Sequence, residues 1–351
     1  VTHVPVQLVT STVQPVPMNP ALETLMLAFS ANERFAVPGR ALFIGAEPHP
    51  ELVKWPDLIG WQALKPRADE WDKNGFTRVN DLPDGRWPAV LVLPGKSRDE
   101  ILASFGMARG HLEAGGRLFA AIPNTTGAAR FEKELARATG NIASIQKHKC
   151  RAFYALEDGN WDEDLFGKWR ELGNIRKMTG SEFTTQAGVF SSDHIDPGSQ
   201  LLIDHLPGNL RGTVADLGAG WGFLSVEALR RSPRIERIDL FEVDSRALAC
   251  ARINLAADER ARFHWYDVTT GLPGNYDTIL MNPPFHTGHA THVDLGRVFL
   301  KTAADSLRRG GSLFLVANRQ LPYEAVLDST GLVWSRLAED KTYKLLLAKK
   351  R

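Results

Sequence analysis

Apolar and polar positions in the second half of the chain follow two rhythms. Short apolar runs read as buried strands: Val214 to Leu217, "IERIDLFEVD" (235–244), "ARFHWYDV" (261–268), "YDTILMN" (276–282) and "SLFLVAN" (312–318). Between them apolar positions recur at helical spacing, from Phe223 onward and through "SRALACARINLAA" (245–257), "LGRVFLKTAADSLRR" (295–309) and "YEAVLDST" (323–330). Two closing runs, "LVWSRLAED" (332–340) and "TYKLLLAKK" (342–350), read as a terminal hairpin. Strand alternating with helix predicts an α/β fold with a doubly wound, mostly parallel sheet. In such sheets ligands bind beyond the C-terminal ends of the strands.

The first half repeats this plan in damaged form. "PGRALFIGAEPHPEL" (38–52) overlays "LRGTVADLGAGWGFL" (210–224), with Gly39 on Gly212 and Gly45 on Gly218. "RWPAVLVLPGKS" (86–97) overlays "NYDTILMNPPFH" (275–286), and "LEAGGRLFAAIPN" (112–124) echoes "LRRGGSLFLVANR" (307–319). Phe43 then stands in the place of Asp216, Glu47 of Gly220, Leu93 of Asn282 and Lys96 of Phe285. At these positions the acid, glycine and amide that chemistry needs are lost. The expectation is a duplication: two tandem doubly wound Rossmann-like domains, 1–165 and 166–351, the first folded but degenerate and without catalysis.

Composition narrows the partners. With 42 Lys+Arg against 41 Asp+Glu the net charge is +1, so any nucleic-acid contact relies on local patches rather than bulk charge. The candidates are "KHKCR" (147–151), "KWRELGNIRK" (168–177), "RRSPRIER" (230–237) and the terminal "AKKR". Each also reads as a solvated helix face or tail. No apolar run is long enough for a membrane span, and the N-terminus lacks the pattern of a secretory signal. The 2 cysteines, Cys150 and Cys250, are too few for a disulfide framework or a zinc cluster. A cytoplasmic location is expected.

Asp216-Leu217-Gly218-Ala219-Gly220-Trp221-Gly222 closes the first strand of the second copy. Glycines let the chain turn through positive φ and let a ligand approach the main chain. On its own such a loop also fits a dinucleotide. The acid at its start, however, repels a pyrophosphate and suits a cationic amino-acid group. Glu242, ending the next strand, stands where a ribose-binding acid belongs; alternation favours it over Asp244. Asp267, ending the third strand, is placed to accept from an adenine amino group. Amino-acid cation, ribose and adenine together describe S-adenosylmethionine. Trp221 adds bulk to the loop and is expected to narrow the pocket.

Asn282-Pro283-Pro284-Phe285 follows the fourth strand, the neighbour of the first. The prolines cannot continue a strand and hold their carbonyls in a fixed geometry. The Asn282 side-chain oxygen and the Pro283 carbonyl are two acceptors for the two hydrogens of a planar exocyclic amine. Phe285 supplies a face to stack on its ring. This is positioning and electrostatics more than base catalysis. His286, His289 and His292 follow at equal spacing. A substrate-side loop is expected there, and no metal.

These residues resemble a known family. "DLGAGWG", "NPPF" and the strand order look like a class I S-adenosylmethionine-dependent methyltransferase acting on nitrogen. "GVFSSDHIDPGSQLL" (188–202), "NPPFHTG" and "VANRQLPYEAVLD" look like the two-domain ribosomal RNA guanine-N2 methyltransferases of the RsmC type. The resemblance is strong from about Trp169 onward and rests on layout before that. It implies that Asp216, Gly218, Gly220 and Glu242 hold the cofactor, with Ala219, Val243, Asp267 and Val268 beside it. It implies that Phe190, Gly198 and Ser199 lie near the cofactor's amino-acid end, and that Asn282 to Phe285 hold guanine. "DPGSQLL" also reads as a helix start, with Asp196 before Pro197. The first domain is implied to support folding and RNA engagement, and the substrate to be ribosomal RNA of the small subunit. Large-subunit RNA, a protein glutamine amide, and a ribosome-assembly role without catalysis stay open as alternatives.

Overall fold

The computed structural model describes residues 19–29, 35–284 and 290–351, with side chains from Asp294 onward in the last stretch. Among these residues, two seven-stranded sheets share one strand order. The first is built from β1 (Ala41–Ile44), β2 (Leu58–Trp61), β3 (Thr77–Val79), β4 (Trp87–Val92), β5 (Leu112–Pro123), β6 (Ala143–Lys147) and β7 (Cys150–Leu156), ordered 3-2-1-4-5-7-6. A small hairpin, β8 (Arg176–Lys177) with β9 (Thr184–Thr185), precedes the second. That sheet contains β10 (Gly212–Leu217), β11 (Ile235–Glu242), β12 (Ala261–Trp265), β13 (Tyr276–Met281), β14 (Leu307–Asn318), β15 (Val333–Glu339) and β16 (Tyr343–Lys349), ordered 12-11-10-13-14-16-15.

Register makes the duplication specific. Phe43 pairs with Gly60 and Leu91; Asp216 pairs with Leu240 and Leu280. Counting on from these pairs, Leu93 takes the place of Asn282 and Gln62 that of Glu242. The loops after β1 and β10 are tied alike. Gly45 and Ala46 N–H both donate to the Trp61 carbonyl (2.9 and 3.0 Å), and Gly218 and Ala219 N–H to that of Phe241 (2.9 and 3.1 Å). Even an irregularity recurs, a register slip after Trp87 and after Tyr276.

The helices of the first domain are α1 (Pro20–Met26), α2 (Lys65–Lys73), α3 (Arg98–Gly110), α4 (Ala128–Thr139) and α5 (Glu163–Leu172). Those of the second are α6 (Pro197–His205), α7 (Phe223–Arg231), α8 (Ser245–Asn254), α9 (Ala290–Ser306) and α10 (Tyr323–Ser329). Each sheet lies between two apolar layers. Val214, Leu240, Leu280 and Phe314 face one way, and Ala215, Phe241, Ile279 and Leu313 the other. Burial on both faces is why these strands read as continuous apolar runs rather than alternating ones.

Three boundaries differ from the sequence expectation. Phe166 and Trp169 of α5 join the first core, so a boundary at 165/166 cuts a helix, and the chain leaves the first domain after Leu172. The helix read over 295–309 spans Ala290–Ser306 instead. Leu307 is already drawn into pairing with Tyr276 and starts β14. The third strand ends at Trp265, and Asp267 caps a 3-10 turn over Val268–Thr270.

The domains meet through equivalent loops, the one after β2 and the one after β11. Lys65 N–H donates to the Val243 carbonyl (2.8 Å) and Ser245 N–H to that of Ala63 (2.9 Å). Trp265 Nε1 donates to both carbonyls (3.0 Å to Ala63, 2.7 Å to Val243). Arg246 forks onto Asp244 and reaches Glu100 of α3 at 2.6 Å. The first domain therefore grips the segment that directly follows Glu242.

Candidate active site

The loop after β10 turns on three glycines with left-handed backbone: Gly218 (φ +73), Gly220 (φ +56) and Gly222 (φ +91). A Cβ at Gly220 would meet nothing within 4 Å among the described residues, which leaves space over the loop for a ligand. Trp221 does not narrow that space, contrary to expectation. Its ring packs into the core against Phe183 and Phe223, and its Nε1 donates to the Phe190 carbonyl at 3.2 Å. Asn254 of α8 donates to the Trp221 carbonyl at 2.8 Å and steadies the loop from behind.

Asp216 is fully buried. Its Oδ2 accepts from the Ser225 hydroxyl of α7 at 2.7 Å, while Oδ1 has no partner among the described residues. Burial pushes its carboxyl up to about 7, against the opposing bonds from Ser225. Glu242 is buried at the end of β11 and is also pushed up to about 7, by burial, with the amides of Asp244 and Gly220 opposing. Its Oε1 accepts from Asp244 N–H (2.9 Å) and its Oε2 from Gly220 N–H (2.7 Å). Asp244 is committed elsewhere, capping α8 and paired with Arg246. Among the described residues, that division leaves Glu242 the acid without a cationic side-chain partner, held by backbone amides. Asp267 Oδ1 takes the N–H and hydroxyl of Thr269 (2.9 and 2.7 Å), and Val268 is buried beside it.

Asp196 caps α6, and its Oδ2 accepts from Ser199 N–H at 2.7 Å. A Cβ on Gly198 would come within 2.8 Å of the Tyr343 ring, so this glycine is needed for packing. Phe190 is 57% exposed, an aromatic held out at the loop that Trp221 anchors. The stretch thus serves as helix start and packing segment, and it also reaches the N-P-P corner. Asn282 Nδ2 donates to Asp196 Oδ2 and to Ser199 Oγ, both at 2.8 Å. Asn282 Oδ1 is buried and has no partner among the described residues. Pro283 is buried and Pro284 exposed. Phe285, His286 and His289 lie outside the described residues, as does the side chain of His292. The contact between Asp196 and Asn282 spans 86 residues of sequence, and no local pattern announces it.

In the first domain the equivalent space is filled from within. Glu47, in Gly220's place, accepts from Asn19 Nδ2 (3.2 Å) and pairs with Arg67 (3.6 Å). Phe43, in Asp216's place, is buried edge-on to Trp71. Among the described residues no group of three His, Cys, Asp or Glu is placed to hold a metal ion. No helix there is long and apolar enough to cross a membrane. In the basic run 230–237, Arg230, Arg231 and Arg237 are engaged in ion pairs. Lys147, His148 and Lys149 stand exposed at the β6–β7 turn.

The residues present suit S-adenosylmethionine: an open glycine cradle, a buried acid at the end of β11, and a buried carboxyl oxygen of Asp216 without a partner among the described residues. Similarity to known proteins agrees. A family model described as "Methyltransferase small domain" matches residues 180–347. The ribosomal RNA small subunit methyltransferase C of Escherichia coli O17:K52:H18 is 33% identical over 244 residues, 68% of this chain and 68% of that one. Its namesake from Erwinia tasmaniensis is 33% identical over 226 residues, 62% and 63% of the two chains. A solved structure, the T. thermophilus 16S rRNA N2 G1207 methyltransferase (RsmC) in complex with AdoMet and guanosine, matches with a TM-score of 0.79. That match is 25% identical and covers 95% of this chain and 92% of the other. Shared layout across both domains, joined to this level of identity, places the chain in the ribosomal RNA small subunit methyltransferase C family.

Proposed function

We infer that this chain transfers a methyl group from S-adenosylmethionine to the exocyclic N2 of a guanine in small-subunit ribosomal RNA, in the cytoplasm. One observation carries the reading: the Asn282 amide is held at its nitrogen end, leaving Oδ1 as a buried acceptor without a partner among the described residues. An unmet acceptor of this kind costs about 1–3 kcal/mol unless a ligand satisfies it, and the amine of guanine has hydrogens to give. The cofactor supplies an electrophilic methyl group on a positively charged sulfur. Asp216 and the glycine loop hold its amino-acid end, and Glu242 takes the ribose. Asn282 Oδ1 and the Pro283 carbonyl accept the two amine hydrogens and direct the nitrogen lone pair at the methyl group. Phe285 stacks on the base, which is flipped out of any paired structure to reach the corner. The amine loses its extra proton after transfer, so no strong base is required.

The test is incubation with labelled S-adenosylmethionine and unmethylated free small-subunit RNA, assembled small subunits and large subunits, followed by nucleoside identification. N2-methylguanosine from a small-subunit substrate is expected. Label in adenosine or in the large subunit would move the target, and label in protein alone would replace RNA with a glutamine amide.

A further inference from the structure

We propose that Asp196 is a positioning residue for methyl transfer, acting through Asn282 by fixing which end of its amide faces the substrate and by lending it negative charge. The proposal rests on the functional reading above and deepens it.

Asp196 is 7% exposed at the N-cap of α6. A cap needs only a neutral acceptor, and Asn serves about as well as Asp. The first domain demonstrates this within the same chain. Asn19 precedes Pro20 as Asp196 precedes Pro197, and its Oδ1 caps α1 by accepting from Ala21 N–H at 3.0 Å. The counterpart of Asn282 there is Leu93. The copy with no amide to hold keeps a neutral cap; the copy with the amide has an acid.

The acid does what an amide cannot. A carboxylate only accepts hydrogen bonds, so Nδ2 is the one end of the Asn282 amide that can face it. Ser199 Oγ takes the second hydrogen. Turning the amide end for end would set Oδ1 against the carboxylate, and that repulsion locks Oδ1 toward the substrate. Asparagine at position 196 offers both an oxygen and an N–H2 group, so either orientation of Asn282 finds a partner. The charge acts in the same direction. A carboxylate 2.8 Å behind Nδ2 polarises the amide and strengthens Oδ1 as an acceptor. The attacking amine gains positive charge as the bond to methyl forms, so the effect grows toward the transition state. The consequence is a change in kcat rather than in cofactor affinity.

The experiment compares full-length wild type, Asp196→Asn, Asn282→Ala and the double variant. Expected for Asp196→Asn is a fall in kcat of about tenfold or more. Its S-adenosylmethionine Kd should stay within about twofold and its melting temperature nearly unchanged, because the cap survives. Adding Asp196→Asn to Asn282→Ala should cost nothing further. A kcat within about twofold of wild type would leave Asp196 as a cap alone and overturn the proposal. So would a Kd that weakens in step with kcat, or losses that multiply in the double variant. If the Asn variant folds poorly, Asp196→Ser, also a good cap, must show the same split or the proposal fails. Wild type that labels no guanine would refute the functional reading instead; the four proteins are then compared on whichever amine is labelled.

Discussion

Gln62 and Glu242 hold the loops behind them in the same way: Gln62 Oε1 accepts from Leu64 N–H at 3.0 Å, and Glu242 Oε1 from Asp244 N–H at 2.9 Å. Their other ends differ. Gln62 Nε2 donates to the Ala46 carbonyl (2.9 Å), whereas Glu242 Oε2 accepts from Gly220 N–H (2.7 Å). Glutamine is therefore sufficient to hold the loop, and the acid is kept where the glycine cradle is intact.

Glu242→Gln should accordingly fold as wild type, with Nε2 turning to the Ala219 carbonyl as Gln62 does to that of Ala46. Cofactor binding should weaken by roughly 10- to 100-fold, as expected when hydroxyls lose a charged acceptor worth about 1.5–3 kcal/mol. Calorimetric titration with S-adenosylmethionine measures it. Unchanged affinity would remove Glu242 from the ribose site.

Asn282→Ala deletes the acceptor but touches neither the glycine loop nor Glu242. Single-turnover methylation should slow by about 100-fold or more, the scale of losing a transition-state hydrogen bond. The cofactor Kd should hold. Near-normal turnover would refute the amine-clamp geometry.

Burial raises the Asp216 carboxyl from its ordinary value of 3.8 to about 7 in the ligand-free fold. The folded state thus keeps a proton that the unfolded chain releases near pH 4. Stability from this group is full below that pH and is lost as pH rises through about 7. Asp216→Asn removes the titration. Urea unfolding of the ligand-free proteins should show the variant gaining on wild type by on the order of 2 kcal/mol between pH 5 and pH 8.5. A stability difference that stays flat across this range would contradict the buried-carboxyl picture.

Restoring the lost groups in the first domain, with Phe43→Asp, Glu47→Gly and Leu93→Asn together, should not create a second site. An acid at Phe43 would be buried against Trp71, and the pocket walls set by Asn19 and Arg67 would remain. Destabilisation by several kcal/mol is expected from the buried charge, with cofactor stoichiometry still one per chain. A second bound cofactor would show that side chains alone silenced this copy.

The α/β class, the duplication and the glycine and N-P-P corners were legible in the linear chain because each rests on local periodicity or on residue types with few conformations. Both copies carry apolar runs at matched spacing, and the overlay of Phe43 on Asp216 and Leu93 on Asn282 agrees with the strand register. Boundaries were less legible. Leu307 has helical neighbours, yet pairing with Tyr276 makes it a strand residue, and α5 belongs to the first domain only because Phe166 and Trp169 find its core. Side-chain direction was not legible at all. Whether Trp221 faces the pocket or the core and which end of Asn282 is presented depend on partners 31 and 86 residues away, and the Arg246 that holds Asp244 is itself fixed by Glu100, 146 residues away. Hydrogen bonds and packing act through space, so a sequence pattern can place an acid at a strand end. Only the folded neighbours decide whether it caps a helix, pairs with an arginine or waits for a ligand.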